Sequence, residues 1–557
     1  MKILPLTIFA LMLSSTALAQ TKQQQVEALF AKWDRTDAPG AAVAVVQDGK
    51  VVYRRGFGMA DIEQARPMSP ATPVHTASLS KQFTAFAVLL LAQQGKLSLD
   101  DDVRKHLPDV PDFGKPILIR HLLNHTSGLR DQLNLLALAG WRMDDVITEE
   151  DIMQLVRRQR ALNFAPGSDF AYNNTGYTLL AAIVQRVSGK SLAAYAKENI
   201  FQPLGMKNTF FHERYSNLVA RRANSYEPGP NGGYASVALS FSYVGPTSLF
   251  STADDLLLWD KNFDDARVGG KALLALMQTP GKLNDGTVLD YAQGLTVGAY
   301  RGLRTVDHRG SDAGFRSHLL RFPEQHLTIA VIANGADVQA GRLGQRIADI
   351  YLGDKLAALP KPVPNYSDSV PATLQLAQLD ALVGGYALEN GSAIAFSKES
   401  GGLRGWTAGD DPMFFYPAGE REYFAKLVNG SFVFDQPGPD GVVAGGTWRR
   451  NTRSVRGKRI EPVKLSEAER KALEGEYYSD ELHVLYTVEA KGGDVVLRHP
   501  RGDVALLPFG KNSFVGPWPF GLLKFECDAP TACSGFSATE DRARYVQFVK
   551  ASVVGGK

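Results

Sequence analysis

The sequence predicts an α/β domain followed by two small antiparallel β-barrels. Three observations carry this prediction: strand-like and helical runs alternate from about residue 30 to 355, a proline-rich stretch follows, and a strand-rich repeat fills the rest. At 557 residues the chain is too long for one compact unit, since domains usually have about 100–200 residues. Its hydrophobic fraction of 44% and charged fraction of 21% are ordinary for a globular protein.

The first nineteen residues have the pattern of a secretory signal peptide. Lys2 is followed by an apolar run to Leu13, and Ala17-Leu18-Ala19 forms a cleavage site of small residues. No later apolar run reaches the roughly 20 residues that a membrane helix needs. We therefore expect residues 1–19 to be removed and the mature chain, with no transmembrane segment, to be exported to the periplasm or secreted.

Residues 20–355 form the predicted α/β domain. Apolar runs on either side of Asp48-Gly49 predict a β-hairpin, and the apolar run from Ser78 to Gln94, ended by Gly95, predicts a buried helix. Strand patterns return late in this segment, at 304–308, 317–322 and 327–333. Because strands stand at both ends with helices between them, we expect one sheet that the two ends complete.

An internal repeat follows a predicted linker at 356–371, where four prolines within a dozen residues favour an extended spacer. The repeat has an offset of 91 residues. Its matching pairs are Leu382-Val383-Gly384-Gly385-Tyr386 with Leu473-Glu474-Gly475-Glu476-Tyr477, and Phe434-Asp435 with Phe525-Glu526. One offset at two distant places indicates duplication, so we expect β-barrel modules at 372–465 and 466–557.

The cysteine count and the net charge exclude several classes of function. Cys527 and Cys533 are the only cysteines, which excludes an iron–sulfur protein and a Cys-ligated zinc protein. In an oxidising compartment they can close a hairpin with a disulfide, and two free buried thiols are the alternative. A net charge of only +3 gives no electrostatic reason to expect nucleic acid or an anionic membrane as a partner.

The first candidate catalytic motif is Ser78-Leu79-Ser80-Lys81. On a helix, Ser78 and Lys81 share one face, and the helix N-terminus favours developing negative charge. A serine nucleophile needs both a nearby group that lowers the cost of deprotonation and a field that stabilises the oxyanion. Taken alone, the tetrapeptide favours a simpler role in which Ser78 only caps a helix.

The second motif, Tyr172-Asn173-Asn174, falls on a predicted turn. Tyr172 can act as a general base where a neighbouring cation lowers its pKa, and Asn174 can hold a substrate carbonyl. A purely structural turn is the alternative.

The third motif, His308-Arg309-Gly310-Ser311, ends a predicted strand. Gly310 would let a substrate backbone approach closely, and the amide of Ser311 would be a second oxyanion donor. A histidine at the end of a strand is otherwise more often an ordinary surface or buried residue.

The order SxxK, YxN, HxG resembles the active-site serine penicillin-recognising family, which includes class C β-lactamases, D-alanyl carboxypeptidases, D-aminopeptidases and related esterases. The flanking segments 75–103, 119–129, 166–192 and 200–209 are similar to this family as well. The resemblance covers roughly residues 30–350. It implies a β-lactamase/transpeptidase-like domain with a central antiparallel sheet flanked by helices, and the two barrels resemble those of the family's D-aminopeptidase.

The resemblance also implies a role for each motif residue. Ser78 would be the acylated nucleophile, Lys81 its activating partner, and Tyr172 the general base that later activates water or protonates the leaving group. The implied substrate-binding residues are Asn174, His308, Gly310 and Ser311, with the amides of Ser78 and Ser311 as the oxyanion hole. The implied reaction is two-step acyl transfer on a small molecule or short peptide, with no metal or cofactor.

One position departs from the family pattern. Class C β-lactamases carry Lys-Thr-Gly where this chain has His308-Arg309-Gly310, and the missing groups help to hold a substrate carboxylate. Arg309 can replace them if it points inward, but strand alternation can send it outward. We therefore predict a peptidase or esterase on small acyl donors such as D-amino-acid peptides or amides. A class C-type β-lactamase or a penicillin-binding carboxypeptidase is the alternative.

Other classes of function compete with this prediction. His121 and His125 have the i, i+4 spacing of zinc ligands, but Leu122 stands where a zincin needs glutamate. The GxSxG elbow of an α/β-hydrolase does not occur. A non-catalytic binding protein on the same fold is a further alternative, against which the intact SxxK and YxN motifs argue. We expect residues 372–557 to restrict or shape access to the site.

Overall fold

The computed structural model describes residues 20–229, 232–358, 376–389, 393–399, 402–407, 413–425, 430–450, 453–460, 463–510, 512–529, 532–540 and 542–551. The predicted signal peptide at 1–19, and all of the predicted linker beyond residue 358, lie outside these described residues. Among the described helices, none combines the length and the apolar character that a bilayer-spanning segment requires.

The α/β domain contains helices and strands in alternation. Its helices are α1 (Lys22–Phe30), α2 (Ser80–Gln93), α3 (Ile119–Leu123), α4 (Gln132–Leu138), α5 (Glu149–Arg158), α6 (Asn174–Ser188), α7 (Leu192–Ala196), α8 (Gln202–Leu204), α9 (Ala253–Asp265), α10 (Gly270–Met277) and α11 (Ala340–Leu352). Its strands are β1 (Ala41–Gln47), β2 (Lys50–Phe57), β3 (Met59–Asp61), β4 (Arg66–Pro67), β5 (Val74–His75), β6 (Ile147–Thr148), β7 (Phe210–Phe211), β8 (Tyr226–Pro228), β9 (Tyr234–Ser236), β10 (Phe241–Ser242), β11 (Leu249–Ser251), β12 (Thr296–Tyr300), β13 (Leu303–Asp312), β14 (Phe315–Phe322) and β15 (Leu327–Ala333).

One six-stranded antiparallel sheet organises this domain, in the order β12-β13-β14-β15-β1-β2. Strand β1, from the start of the domain, pairs with β15 from its end, and Ala41 lies opposite Ala333. The predicted completion of the sheet by both ends is therefore confirmed. Asp48 and Gly49 both have positive φ, 51° and 73°, as a tight two-residue hairpin turn between β1 and β2 requires.

Helices cover both faces of the sheet. Ala42 and Ala44 of β1 pack into the cluster that contains α2, α6 and α9, whereas Val43 and Val45 pack against α1 and α11. Successive side chains of a strand point to opposite faces, so a sheet buried on both sides gives an uninterrupted apolar strand. The predicted central antiparallel sheet flanked by helices is confirmed.

Two closed eight-stranded barrels follow, also as predicted. The first barrel consists of β16 (Gly384–Leu388), β17 (Ala393–Glu399), β18 (Gly402–Thr407), β19 (Met413–Pro417), β20 (Glu422–Ala425), β21 (Gly430–Phe434), β22 (Gly445–Arg450) and β23 (Arg453–Ile460). After α12 (Glu467–Ala472), the second barrel consists of β24 (Gly475–Ser479), β25 (Val484–Lys491), β26 (Asp494–His499), β27 (Gly502–Gly510), β28 (Ser513–Val515), β29 (Leu522–Ala529), β30 (Ala532–Glu540) and β31 (Ala543–Lys550).

The repeated residues occupy equivalent places in the two barrels. The hydroxyl of Tyr386 donates to Leu382 O at 3.0 Å, and that of Tyr477 donates to Leu473 O at 2.8 Å. Phe434 and Phe525 both lie on the sixth strand of their barrel, with ring centroids 5.6 and 5.8 Å from the matching tyrosine. The equivalent contacts support the duplication that the sequence offset indicates.

Cys527 on β29 and Cys533 on β30 form a disulfide. They lie opposite each other in the strand register and so connect the two strands of one hairpin. Of the two alternatives that the sequence leaves open, the structure has the disulfide.

The second barrel shares a hydrophobic core with the α/β domain. One cluster of buried side chains joins Leu135 and Leu138 of α4 and Ile152 of α5 to the barrel interior, including Tyr486 and Phe548. The first barrel instead has a cluster of its own, built from barrel residues and the turn before them. The second barrel is thus integrated into the domain by apolar burial, the dominant favourable term in folding.

A buried ion pair crosses the same interface. Nη1 of Arg130, which is 1% exposed, donates to both carboxylate oxygens of Glu481, at 2.8 and 2.6 Å. Arg130 also donates to the carbonyls of Arg544 and Tyr545 on β31, at 2.9 and 3.1 Å. A guanidinium removed from water needs such partners, because an unpaired buried charge costs several kcal/mol.

We predict that Glu481→Gln lowers the free energy of unfolding by about 3 kcal/mol, because it leaves the Arg130 charge buried without a counter-charge. Urea unfolding followed by circular dichroism measures this loss. The neighbouring pair Arg160–Asp480, with both side chains more than 60% exposed, supplies the control. Asp480→Asn should cost less than about 1 kcal/mol. Equal losses in the two variants would contradict the assignment of the buried pair.

Candidate active site

The first motif lies on a sharp turn that leads into α2. Ser78 sits in the 3₁₀ turn Ala77–Leu79, two residues before the α-helix begins, rather than within the helix as the sequence predicts. Ala77 has a positive φ of 50°, which is uncommon for a residue with a side chain and costs energy. The hydroxyl of Ser80 donates to Ala77 O at 2.6 Å and fixes this turn. The turn leaves Ser78 partly exposed at the start of the helix.

Lys81 lies three residues after Ser78 and is fully buried. Its Nζ donates to Ser78 Oγ at 3.1 Å, to Asn174 Oδ1 at 2.9 Å and to Pro246 O at 3.0 Å. Burial lowers the pKa of Lys81 to about 7, although the carboxylate of Asp131 acts in the opposite direction. Near neutral pH a substantial fraction of Lys81 is therefore a neutral amine that can accept the proton of Ser78.

Tyr172 lies against the same pair. Its ring centroid is 4.7 Å from Lys81 Nζ, which in turn contacts Ser78 Oγ. Burial raises the pKa of Tyr172 above its ordinary value; the nearby Ser78 hydroxyl and the charge of Arg542 lower it, but by less. The expectation of a pKa lowered by a nearby cation is not met, because burial outweighs the cations. Tyr172 is a neutral phenol in the resting site.

Asn174 is held by the residues that precede α4. Its backbone N–H donates to Asp131 Oδ2 at 2.6 Å, and the Asn173 side chain caps α6 by accepting from Gly176 N–H at 2.7 Å. Oδ1 of Asn174 accepts from Lys81. Among the described residues Nδ2 of Asn174 has no hydrogen-bond partner, so this end of the amide can donate to a substrate carbonyl.

The third motif forms the end of β13. His308 and Gly310 are buried, while Arg309 and Ser311 face the other way and are exposed. His308 Nδ1 lies 2.7 Å from Arg309 O, which can only accept, so Nδ1 carries the proton and Nε2 accepts from the Tyr291 hydroxyl at 2.9 Å. Burial lowers the pKa of His308 to about 4. His308 is therefore a neutral wall residue, with its ring 6.3 Å from that of Tyr172.

Arg309 does not face the site. Its side chain is 55% exposed, lies 3.9 Å from Asp307 and packs against Gly341 of α11. Strand alternation thus sends it outward, the second of the two orientations that the sequence allows. Arg309 does not supply the carboxylate contact.

Packing requires a glycine at position 310, and its predicted contact with substrate stays a prediction. A Cβ at this position would lie 2.3 Å from Thr76 O and 2.4 Å from Ser317 Oγ. The close approach brings β13 against the turn that carries Ser78. Strand β12 pairs with β13 only as far as Asp307, so Ser311 lies beyond the segment that β12 covers. The backbone amide of Ser311 remains a predicted oxyanion donor.

The structure also brings in residues that sequence reasoning missed. Asp131 orients Asn174, Tyr291 orients His308, and Arg542 reaches Tyr172 from the turn between β30 and β31. Asp131 follows the segment 119–129, so its position next to a family-like segment was an available signal. Nothing local in the sequence connects Arg542 to Tyr172.

The two histidines of the zinc alternative are used structurally. Nδ1 of His121 accepts from Leu118 N–H at 3.1 Å, and Nδ1 of His125 accepts from Asn173 N–H at 3.1 Å. Helix α3 ends at Leu123, and His125 has a left-handed φ of 60°, so the two side chains do not share one helical face. Their arrangement does not provide the i, i+4 pair that the zinc alternative needs.

With this geometry established, comparisons identify the family. The family model for β-lactamase matches residues 23–352, more than half of the chain. The chain belongs to the β-lactamase family. This confirms the resemblance that the SxxK, YxN and HxG motifs indicate, and members of the family include serine hydrolases of the penicillin-binding and D-aminopeptidase kinds.

The alignments with two curated relatives cover most of the length of those relatives. A penicillin-binding protein of Bacillus subtilis is 28% identical over 435 residues, covering 74% of this chain and 93% of that protein. A D-aminopeptidase of Brucella anthropi is 26% identical over 530 residues, covering 92% of this chain and 95% of that protein. The second alignment includes the C-terminal barrels.

Solved structures support the fold. The octameric penicillin-binding protein homologue from Pyrococcus abyssi superposes with a TM-score of 0.56 at 23% identity, covering 78% of this chain and 99% of that one. A D-amino acid amidase from Ochrobactrum anthropi gives a TM-score of 0.50 at 22% identity, covering 60% and 99%. At these identities the likeness establishes the β-lactamase-type fold alone.

We predict that acylation of Ser78 accelerates with rising pH through an apparent pKa of about 7, because the neutral form of Lys81 is the base. Lys81→Arg, which stays protonated throughout, should acylate at least about 100-fold more slowly. Time-resolved intact-mass measurement of the adduct gives these rates.

His308→Gln is the control for this assignment. Because the pKa of His308 is near 4, its loss should leave the inflection near 7 in place, whatever its effect on the rate. An inflection that disappears in His308→Gln, or a flat profile in the wild type, would contradict the role of Lys81.

Proposed function

We propose that this protein is an exported serine hydrolase that forms an acyl-enzyme on Ser78. Its substrates would be small acyl donors such as D-amino-acid peptides or amides. The observation that carries the proposal is the contact of Ser78 Oγ with the buried amine of Lys81, 3.1 Å away, whose pKa is lowered to about 7. A nucleophile beside an amine whose pKa lies near neutrality is the arrangement that acyl transfer requires.

The first half-reaction would proceed as follows. Neutral Lys81 accepts the proton of Ser78, Oγ attacks the carbonyl carbon, and the oxyanion is held by backbone amides, for which those of Ser78 and Ser311 are the candidates. Tyr172, a phenol that packs on Lys81, passes a proton to the leaving atom and is reprotonated from Lys81. The bond from carbon to the leaving atom breaks and the ester on Ser78 remains.

The second half-reaction reverses these roles. Water gives one proton to Tyr172 while Tyr172 passes its own phenol proton to neutral Lys81, and the water oxygen bonds to the ester carbonyl carbon. The bond from that carbon to Ser78 Oγ then breaks as protonated Lys81 returns the proton to Oγ. Asn174 would hold the acyl amide through Nδ2 while its Oδ1 stays bonded to Lys81. The transfer between Ser78 and Lys81 follows a contact that already exists at 3.1 Å, which limits reorganisation.

The peptidase or esterase activity is favoured over a class C-type β-lactamase for one reason. The strand lacks the Lys-Thr side chains that hold a β-lactam carboxylate, and Arg309 points away from the site. Export rests on the pattern of residues 1–19 and is supported by the disulfide between Cys527 and Cys533, a bond typical of oxidising compartments.

We predict that brief exposure to p-nitrophenyl acetate adds one acetyl group to the wild type and none to Ser78→Ala. Intact-mass spectrometry makes the comparison, and Ser168→Ala, at an exposed serine outside the three motifs, supplies the control. A wild type that stays unmodified under these conditions would count against the enzyme and favour the non-catalytic alternative. Hydrolysis of D-alanine p-nitroanilide, its L-isomer and nitrocefin then separates peptidase from β-lactamase.

We further predict that Tyr172→Phe affects amide and ester substrates unequally. An anilide nitrogen needs a proton to leave, so its hydrolysis should fall by about 100-fold or more, whereas acylation by p-nitrophenyl acetate should fall much less because p-nitrophenolate leaves unprotonated. Steady-state rates on both substrates give the ratio. Equal losses would mean that Tyr172 serves mainly to position Ser78.

A further inference from the structure

Arg542 brings a positive charge into the active site from the far end of the chain. It lies in the turn between β30 and β31 of the second barrel, and its guanidinium carbon is 5.2 Å from the centre of the Tyr172 ring. The side chain is half-buried. Among the described residues, no carboxylate forms an ion pair with this guanidinium, and its one specific contact is the face of Tyr172.

Backbone contacts fix the position of Arg542. Its carbonyl accepts from Asp131 N–H at 2.9 Å and from Asn163 Nδ2 at 2.9 Å, and its own N–H donates to Glu540 Oε2 at 3.1 Å. The carboxylate of Asp131 in turn accepts from Asn174 N–H. Arg542 is therefore attached to the segment that orients the substrate-binding amide and is not a freely moving surface side chain.

Its neighbours on the same hairpin are already paired. Arg544 donates to Asp169 at 3.2 Å, and Glu540 accepts from the Asn134 side chain. The carboxylates closest to the catalytic pair are also engaged: Asp131 accepts two backbone N–H groups, and Asp312 accepts from the Thr247 hydroxyl at 2.7 Å. A partly desolvated guanidinium with no carboxylate partner is a natural site for a substrate anion, which it can hold by two parallel hydrogen bonds.

The position of Arg542 indicates which part of the substrate it would meet. Tyr172 packs on Lys81, which contacts Ser78, and is the group that would reach the leaving atom, while Asn174 would hold the acyl chain. A charge beside Tyr172 is therefore on the leaving-group side of the reacting carbonyl. Strand β13 forms the other wall of the site. There Arg309 faces outward and His308 is neutral, so neither residue offers a positive charge to a substrate carboxylate.

We propose that Arg542 binds a carboxylate on the leaving group of the substrate, so that the enzyme prefers acyl donors that end in a free carboxylate over neutral amides and esters. The second barrel then contributes a specificity-determining residue rather than only a steric screen. This inference rests on the proposed acylation of Ser78 and narrows its substrates to peptides, thioesters or depsipeptides with an anionic leaving group.

The test uses two thioesters with one acyl group and isosteric leaving groups, mercaptoacetate and mercaptoacetamide, which differ in a single negative charge. A thiol reagent follows release of the thiol for both. Arg542→Gln removes the positive charge, whereas Arg542→Lys retains the charge without the planar guanidinium. Arg544→Gln, which removes the neighbouring arginine that is already paired, is the matched control. Substitution is preferable to deletion of the barrel, which would expose the apolar side of α4 and unpair Arg130.

We expect the wild type to have the higher kcat/KM for the mercaptoacetate thioester. Arg542→Gln should reduce that preference by at least about 10-fold, because it slows the mercaptoacetate thioester more than the mercaptoacetamide thioester. Arg542→Lys should keep part of the preference and Arg544→Gln all of it. The inference is overturned if the wild type has no preference, if Arg542→Gln slows both thioesters equally, or if Arg544→Gln loses the preference to the same degree.

Two measurements separate this inference from the proposed function. Acetylation of Ser78 by p-nitrophenyl acetate tests the nucleophile with a substrate that carries no carboxylate, so its failure would refute only the acyl-enzyme. Calorimetric binding of the intact mercaptoacetate thioester to Ser78→Ala, with and without Arg542→Gln, tests the anion contact without turnover. Equal affinity of those two proteins would overturn the role of Arg542 even in a fully active enzyme.

Discussion

The three residues 129–131 connect the second barrel to the active site. The Arg130 side chain is directed entirely to the barrel, where it meets Glu481 and two carbonyls of β31. Two other groups of this segment hold the turn that contains Tyr172, Asn173 and Asn174. The Leu129 carbonyl accepts from Asn173 Nδ2 at 2.7 Å, and the Asp131 carboxylate accepts from Asn174 N–H. Since a buried guanidinium must remain paired, the segment, the barrel and the turn are expected to order together.

Burial sets the protonation states of the site in one consistent direction. It lowers the pKa of Lys81 to about 7 and that of His308 to about 4, and it raises the pKa of Tyr172. Each change disfavours the charged form, as desolvation does for acids and bases alike. Lys81 is therefore the group that can accept a proton near neutral pH, and Tyr172 would transfer protons as a neutral phenol.

Duplication produced two barrels with the same internal contacts and different surroundings. The Tyr386 and Tyr477 hydroxyls make equivalent hydrogen bonds, so the barrel fold is kept by its interior. Yet the apolar cluster of the second barrel continues into α4 and α5, while that of the first is made from its own residues and the preceding turn. The two copies therefore differ in their exteriors and turns, and the turn that carries Arg542 belongs to the second copy.

The sequence by itself determined what depends on local spacing: the Asp48-Gly49 hairpin, the repeat, and the pairing of Ser78 with Lys81. That pairing survives although Ser78 lies in the 3₁₀ turn before α2, because residues i and i+3 lie on one side in a 3₁₀ turn as well as in an α-helix. The order of the motifs was enough to indicate the family. Only the tertiary structure decided the outward direction of Arg309, since alternation is certain but its phase depends on which face is packed. It also decided the pKa of Tyr172, which depends on burial by distant residues, and the arrival of Arg542, because contacts between residues so far apart in the chain have no local pattern.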